Sequence, residues 1–374
     1  MKRIALAVTA AATAAALALG GCSGDRAGGR EAAAGGGEEP AAGFDAGAPI
    51  GVALPDKTSE NWVLAGDLFT EGLEEAGFKP DVQYAPASNT VAEQQNQISS
   101  MITNGAKVVV IGAKDGKQLG TQLQQAADQG VTVIAYDRLI ENTENVDYYV
   151  AFDNFQVGQL QGQALLDGLA ERAGHEPPYN IELFSGSPDD ANSAVFFNGA
   201  MDVLQPKIDD GTLVVASGQT QIQQTATQGW EAENAQSRMD SLLTSSYSDK
   251  VLDGILSPND TLARAVIASV EASGKPIPVV TGQDSEVESV KSIMEGKQYS
   301  TINKDTTLLV EQTIKMIEQL QQGEEVEVND TEQYDNGVKV VPAYLLDPVI
   351  VTKENAAEAY ANVPNLLEIV EAAS

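Results

Sequence analysis

The chain has one histidine, His175, and one cysteine, Cys22, in 374 residues. A lone histidine cannot build a multi-histidine metal site, and it leaves a single candidate for a histidine-based triad. A lone cysteine excludes an intrachain disulfide. Basic residues are also few, 22 against 54 acids, which gives a formal net charge of -32. Nucleic acids and anionic membranes both need a basic face, so this charge argues against either partner. Aromatic residues are 5% of the chain, and only two are tryptophan. What remains is ordinary for a globular protein: 43% apolar residues, in a length that fits about two domains.

The start of the chain stands apart. Met1-Lys2-Arg3 is basic, and residues 4–19 are only Ile, Ala, Leu, Val and Thr. That length and those flanks predict a secretory signal, not a stable membrane span. The run ends Leu19-Gly20-Gly21-Cys22, which resembles the box of a bacterial lipoprotein signal. Small residues admit the processing peptidase, and the thiol takes the diacylglycerol. Residues 1–21 are therefore expected to be removed, with Cys22 carrying the anchor. Residues 22–47 are mostly Gly, Ala and charged residues, with Phe44 the only large apolar side chain. They predict a flexible acidic tether.

From Pro49 the pattern changes. Strands are expected at 49–54, 80–85, 107–112, from 131, at 146–152, 179–184, 212–217, 251–256, 277–281 and 298–303. Helices are expected between them at 59–76, 90–104, 115–129, 155–173, 190–204, 225–245, 260–273, 286–295 and 305–322. A strand-rich end over 338–351 and a helix over 353–370 close the chain. Alternating strands and helices at this spacing predict α/β architecture with parallel sheets, in two units of similar size.

The most informative stretch is Val131-Thr132-Val133-Ile134-Ala135-Tyr136-Asp137-Arg138. It begins as a largely apolar strand and ends on an acid beside a guanidinium. In open α/β sheets, ligands bind outside the carboxyl ends of the strands. A carboxylate accepts hydrogen bonds and a guanidinium donates them, a combination that suits a polar, uncharged polyol or sugar. Taken alone, the pair reads first as a surface ion pair after a strand. Other polar clusters also follow predicted strands: Phe152-Asp153-Asn154, the stretch from Ser185 to Asn192, Ser257-Pro258-Asn259-Asp260, Gly282-Gln283-Asp284 and Asn303-Lys304-Asp305. Each alone is also what a helix cap requires. Together they would meet in one cleft if two lobes face each other. Trp62 and Trp230, both near predicted helix starts, could stack on the apolar face of a pyranose or fill core gaps.

These residues resemble a known family, the type I periplasmic sugar-binding proteins of bacterial ABC importers, and within it the xylose and multiple-monosaccharide group. The resemblance runs from about Pro49 to Asn355. It includes Tyr136-Asp137-Arg138-Leu139-Ile140, Phe152 to Gly158, Ile181-Glu182-Leu183-Phe184, Gly186 to Asp190, Gly282-Gln283-Asp284 and Asn336 to Pro342. It implies two doubly wound parallel-sheet lobes joined by a three-strand hinge. The N-terminal lobe would hold 48–153 plus 305–330, and the C-terminal lobe 154–304 plus 331–374. Crossings would lie near 153–155, 302–305 and 329–336.

The resemblance also implies that Asp137 and Arg138 bind ring hydroxyls from one lobe. Asn192, Asn259 and Asp284 would bind from the other, with Lys304 from the hinge side. Trp62 and Trp230 would sandwich the ring. The family usually has Arg where this chain has Asn61, and Lys57 is the nearby cation to reach in instead. Ala191 replaces an amide common in the family. The implied protein is a monomeric, extracytoplasmic receptor for a monosaccharide of the xylose, glucose, galactose or arabinose type. Its partners are an ABC permease with its ATPase and a chemoreceptor, with the membrane reached through a lipid anchor.

No catalytic residue, cofactor or metal is expected. Asp189 and Asp190 are adjacent and cannot face each other across a glycosidic bond. No Walker loop occurs, and the acidic loop 329–335 lacks EF-hand spacing. A transcription-regulator core shares the fold, but the export signal and the charge oppose it. The alternative kept open is a receptor for another small polar ligand, a cyclitol or a furanose-like signal.

Overall fold

The computed structural model describes residues 43–57, 59–86 and 91–373. The expected signal, Cys22 and the expected tether up to residue 42 lie outside the described residues.

The first half alternates strand and helix. Its elements are β1 (Pro49–Leu54), α1 (Glu60–Glu75), β2 (Lys79–Tyr84), α2 (Val91–Thr103), β3 (Val108–Ile111), α3 (Gly120–Asp128), β4 (Thr132–Tyr136) and β5 (Tyr148–Phe152). The second half continues with α4 (Asn154–Arg172), β6 (Tyr179–Leu183), α5 (Ala191–Asp209), β7 (Leu213–Val215), α6 (Ile222–Thr225), a 3-10 turn (Gln228–Trp230) and α7 (Ala232–Ser245). Then come β8 (Gly254–Leu256), α8 (Asp260–Ala272), β9 (Val279–Val280), α9 (Val287–Met294), β10 (Ser300–Asn303) and α10 (Thr306–Gln322). The chain ends with β11 (Ala343–Leu346), β12 (Val349–Thr352), α11 (Ala356–Ala359) and α12 (Pro364–Ala373).

The strands form a six-stranded parallel sheet in the order β11-β5-β4-β3-β1-β2 and a four-stranded parallel sheet in the order β7-β6-β8-β9. An antiparallel pair, β10 and β12, continues from the second sheet, with the Tyr299 amide donating to Val280 O at 2.9 Å. β3 is apolar at every position because both of its faces are covered. On β3, Val108 and Val110 point into the core shared with Phe69 and Leu73 of α1 and Val310 and Ile317 of α10. Val109 and Ile111 point into the core shared with Ile98 of α2 and Leu123 of α3. The second sheet repeats the arrangement: Ile255 faces Met239 of α7 and Val266 of α8, while Leu256 faces Leu165 of α4 and Leu204 of α5. Helices α4 and α5 pack at backbone distance. A Cβ on Gly158 would strike Phe196 O, and one on Gly199 would strike Phe155 O.

Three expectations need correction. Phe44 falls within the expected tether, yet its ring lies 6.3 Å from Phe78 and its amide donates to Gln321 O at 3.2 Å. The packed chain therefore includes residue 44, because this lone phenylalanine covers an edge of the first core. Residues 343–346 fall within the expected C-terminal lobe, but β11 pairs in parallel with β5 in the six-stranded sheet. The last crossing between the sheets consequently lies at Asp347-Pro348, between β11 and β12, and not at 329–336. The helix expected over 225–245 is broken, because Gly229 (φ 68°) and Trp230 (φ 56°) are left-handed.

Candidate functional site

The carboxyl ends of the two parallel sheets line one cleft of about 410 Å³. That lies toward the small end of ligand clefts, about 300–1,000 Å³. All nine residues singled out from the sequence line it: Asn61, Trp62, Asp137, Arg138, Asn192, Trp230, Asn259, Asp284 and Lys304.

Each is delivered by a strand end or a helix start. Asp137 follows β4 with φ 60°, a left-handed conformation that few non-glycine residues adopt. Its amide donates to Val150 O on the neighbouring strand at 2.8 Å. Its carbonyl accepts from Asn192 Nδ2 and lies near the Tyr149 hydroxyl, both at 2.7 Å. Among the described residues no side chain donates a hydrogen bond to the Asp137 carboxylate. Burial pushes this carboxyl above the usual range, and Lys304 and Arg138 only partly offset it. It is an acceptor in want of donors.

Across the cleft, Asp284 also has positive φ, 98°, and its Oδ1 lies 2.9 Å from Lys304 Nζ. Burial disfavours the charge on Lys304, but Asp284, Asp137 and Asp190 outweigh burial and raise its pKa. The ammonium therefore stays charged, with three donors among carboxylates that accept. Behind Asp284 lies Asp260, fully buried and held by Gln298 at 2.8 Å and Thr301 at 2.9 Å. Burial, then the nearby Glu286 and Asp284, push its carboxyl well up.

The aromatic walls come from opposite sides. Trp62, in the first turn of α1, covers Gly112, where a Cβ would meet the indole. Arg138 lies over its ring at 5.4 Å. Trp230 reaches the cleft because its turn is left-handed, and its indole rests on Gly186, where a Cβ would collide with it.

Asp190 is the functional residue whose role sequence reasoning missed. It belongs to the polar cluster expected at the cleft or at a helix cap, and it does cap α5, accepting from the Asn192 amide at 3.0 Å. Its second oxygen accepts from Trp230 Nε1 at 3.2 Å and forms an ion pair with Arg138, whose Nε lies 3.1 Å away. One buried carboxylate thus fixes an aromatic wall and the guanidinium from the opposite sheet. Lys114 and Asp56, paired at 2.8 Å, also line the cleft and were not singled out. Lys57 does not line it; its ammonium lies 4.4 Å above the Tyr84 ring. Two amides expected to meet a ligand have protein partners across the cleft: Asn192 on Asp137 O, and Asn61 Nδ2 on Asp284 O at 3.3 Å. Asn259 Oδ1 caps α8 at the Leu262 amide, 3.0 Å away.

Carboxylates, a lysine and an arginine between two indoles define a receptor for a small, polar, hydroxyl-rich solute, built between two α/β halves. Comparison with known proteins agrees with that class. Residues 50–325 match the family model of the periplasmic binding protein domain. The multiple sugar-binding periplasmic receptor ChvE of Rhizobium radiobacter is 49% identical over 311 residues, covering 82% of this chain and 87% of the receptor. The D-xylose-binding periplasmic protein of Escherichia coli is 35% identical over 307 residues, covering 82% of this chain and 87% of that protein. An ABC-transporter solute-binding protein of Clostridium phytofermentans, solved with bound β-D-glucose, is 42% identical with a TM-score of 0.81, covering 85% of this chain and 99% of that one.

The chain belongs to the periplasmic binding protein family, with the type I fold, and stands in its multiple-sugar and xylose receptor group. Its relatives are extracytoplasmic solute receptors and not enzymes, and it is of the same kind. None of the described helices is long and apolar enough to cross a membrane.

Proposed function

We propose that this protein captures a monosaccharide of the xylose, glucose, galactose or arabinose type in the cleft and hands it to an ABC permease and its ATPase. The observation that carries this is the cleft itself. Asp137, a carboxylate with no side-chain donor among the described residues, faces the Asp284–Lys304 pair, and an indole stands on each side. Ring hydroxyls would donate to Asp137 and Asp284 and accept from Lys304 and Arg138, while the apolar ring face covers an indole. The Asn259 amide nitrogen adds a donor at the second helix start. Asn61 and Asn192 act in this reading mainly by joining the two halves. The sugars named for the relatives, several sugars, D-xylose and β-D-glucose, support the substrate class.

Both tryptophans of the chain line the cleft, so intrinsic fluorescence reports on it directly. Titration with D-glucose or D-xylose is expected to give a saturable change in emission. A flat titration with every monosaccharide would overturn the reading.

The proposal extends to the anchor. Cys22 would carry a diacylglycerol that keeps the receptor at the outer face of the cell membrane. Cys22→Ser is expected to move the protein into the soluble fraction and to reduce uptake of its sugar. Retention on the membrane, or undiminished uptake, would contradict the anchored role.

A further inference from the structure

The first turn of α1 carries two residues that reach across the cleft to one loop of the other half. Asn61 Nδ2 donates to Asp284 O at 3.3 Å, and Glu60 Oε2 accepts from the Val287 amide at 3.2 Å. Val287 is the first residue of α9, whose own N-cap, Glu286, makes no side-chain cap bond. The unpaired donors and positive end of that helix favour a carboxylate. Glu60, from the other half of the molecule, supplies it.

We infer that Glu60, seconded by Asn61, is a closure latch: it caps α9 in trans and holds the two halves together over the sugar without touching the sugar. The inference rests on the sugar reading above. Glu60 is exposed and does not line the cleft, whereas Asn61 beside it does. The loop it engages is already rigid on its own side. The Ser285 amide donates to Thr301 Oγ1 at 3.2 Å, the Tyr360 hydroxyl donates to Ser285 Oγ at 2.8 Å, and the Asp284 amide donates to Ile302 O at 2.9 Å. The latch therefore closes on a fixed plate, and losing it leaves the plate intact. Because the same loop presents the Asp284 carboxylate, latching also fixes the distance between the two halves of the binding site.

A latch that touches no sugar shifts the open–closed equilibrium equally for every sugar. A sugar contact discriminates between sugars. The test compares the purified protein with its Glu60→Ala variant, using D-glucose and D-xylose. The variant is expected to bind both sugars about two- to five-fold more weakly, by the same factor, as suits one exposed charge at a helix start. The loss should appear as faster dissociation. Hydrogen exchange of the Val287 amide should accelerate in the variant.

Unchanged affinity for both sugars, a factor that differs between them, or unchanged Val287 exchange would each overturn the latch. If the unaltered protein binds neither sugar, the sugar reading fails. The Val287 exchange comparison then decides the trans cap by itself.

Discussion

Asp284→Asn is expected to abolish high-affinity sugar binding while leaving a cooperatively folded protein. Asp284 Oδ1 lies 2.9 Å from Lys304 Nζ, and both side chains are largely buried, 14% and 10% exposed. Removing the charge leaves the ammonium with Asp137 and Asp190 as its remaining acidic neighbours. Lys304 is then drawn toward Asp137, the acceptor that the sugar needs. Losing one partner of a buried, hydrogen-bonded charge pair in a binding site costs about 2–5 kcal/mol, about thirty- to several-thousand-fold in Kd. Asparagine is the informative replacement because it tolerates the left-handed backbone at this position, where alanine adds strain. Calorimetric titration measures the effect. A Kd within about three-fold of the unaltered protein, less than about 1 kcal/mol, would remove Asp284 from the site.

The second large effect falls on stability. Glu182, in β6, is fully buried and accepts from Arg238 Nη2 at 3.0 Å, the Tyr247 hydroxyl at 2.9 Å and Ser217 Oγ at 2.8 Å. Burial pushes its carboxyl up, and Arg238 opposes that shift. Arg238 is itself mostly buried and lies 4.3 Å over the Phe184 ring. Glu182→Ala strips the charge from this pair and leaves a guanidinium in the interior, a loss of about 3–5 kcal/mol. Arg238 keeps Leu183 O at 2.8 Å and Gln219 Oε1 at 2.7 Å, and Tyr247 keeps Ile181 O at 2.6 Å, which favours the lower end of that range. Urea melting is expected to show the loss with sugar affinity little changed, since Glu182 does not line the cleft. A loss below about 1 kcal/mol would contradict the assigned role.

Much of the fold is legible in the sequence because both faces of the central strands are covered. Runs such as Val108-Val109-Val110-Ile111 have no polar position and can hardly be anything but buried strands. The elements that escaped depend on contacts far along the chain. Nothing within Ala343–Leu346 says that its neighbour is β5, almost two hundred residues earlier, and so the sequence does not locate the last crossing. Phe44 looked like tether because its composition is local and its partner, Phe78, is not. Trp230 sits in a stretch that favours helix, but its left-handed backbone is imposed by the indole packing on Gly186 and bonding to Asp190.

The same division runs through the site. Strand ends announce Asp137 and Asp284, since acids after apolar runs are visible without partners. Asp190 is legible as one acid of a polar cluster at a helix start, but its own role is not, because its links to Arg138 and Trp230 span the cleft. Asn61 and Asn192 were visible as polar residues at helix starts. That their amides meet main-chain carbonyls across the cleft follows from three-dimensional closure alone.

The most direct test of the central claim is thermal unfolding of the purified protein against a panel of sugars. The panel holds xylose, glucose, galactose, arabinose and ribose, with myo-inositol as a cyclitol, each run in parallel on the Asp284→Asn variant. A ligand present at a hundred times its Kd adds about 2.7 kcal/mol to stability, a shift of several degrees. At least one monosaccharide is expected to raise the melting temperature of the unaltered protein and to leave the variant unmoved. A panel without any shift, or a shift with myo-inositol alone, would contradict the account of this cleft as a monosaccharide site.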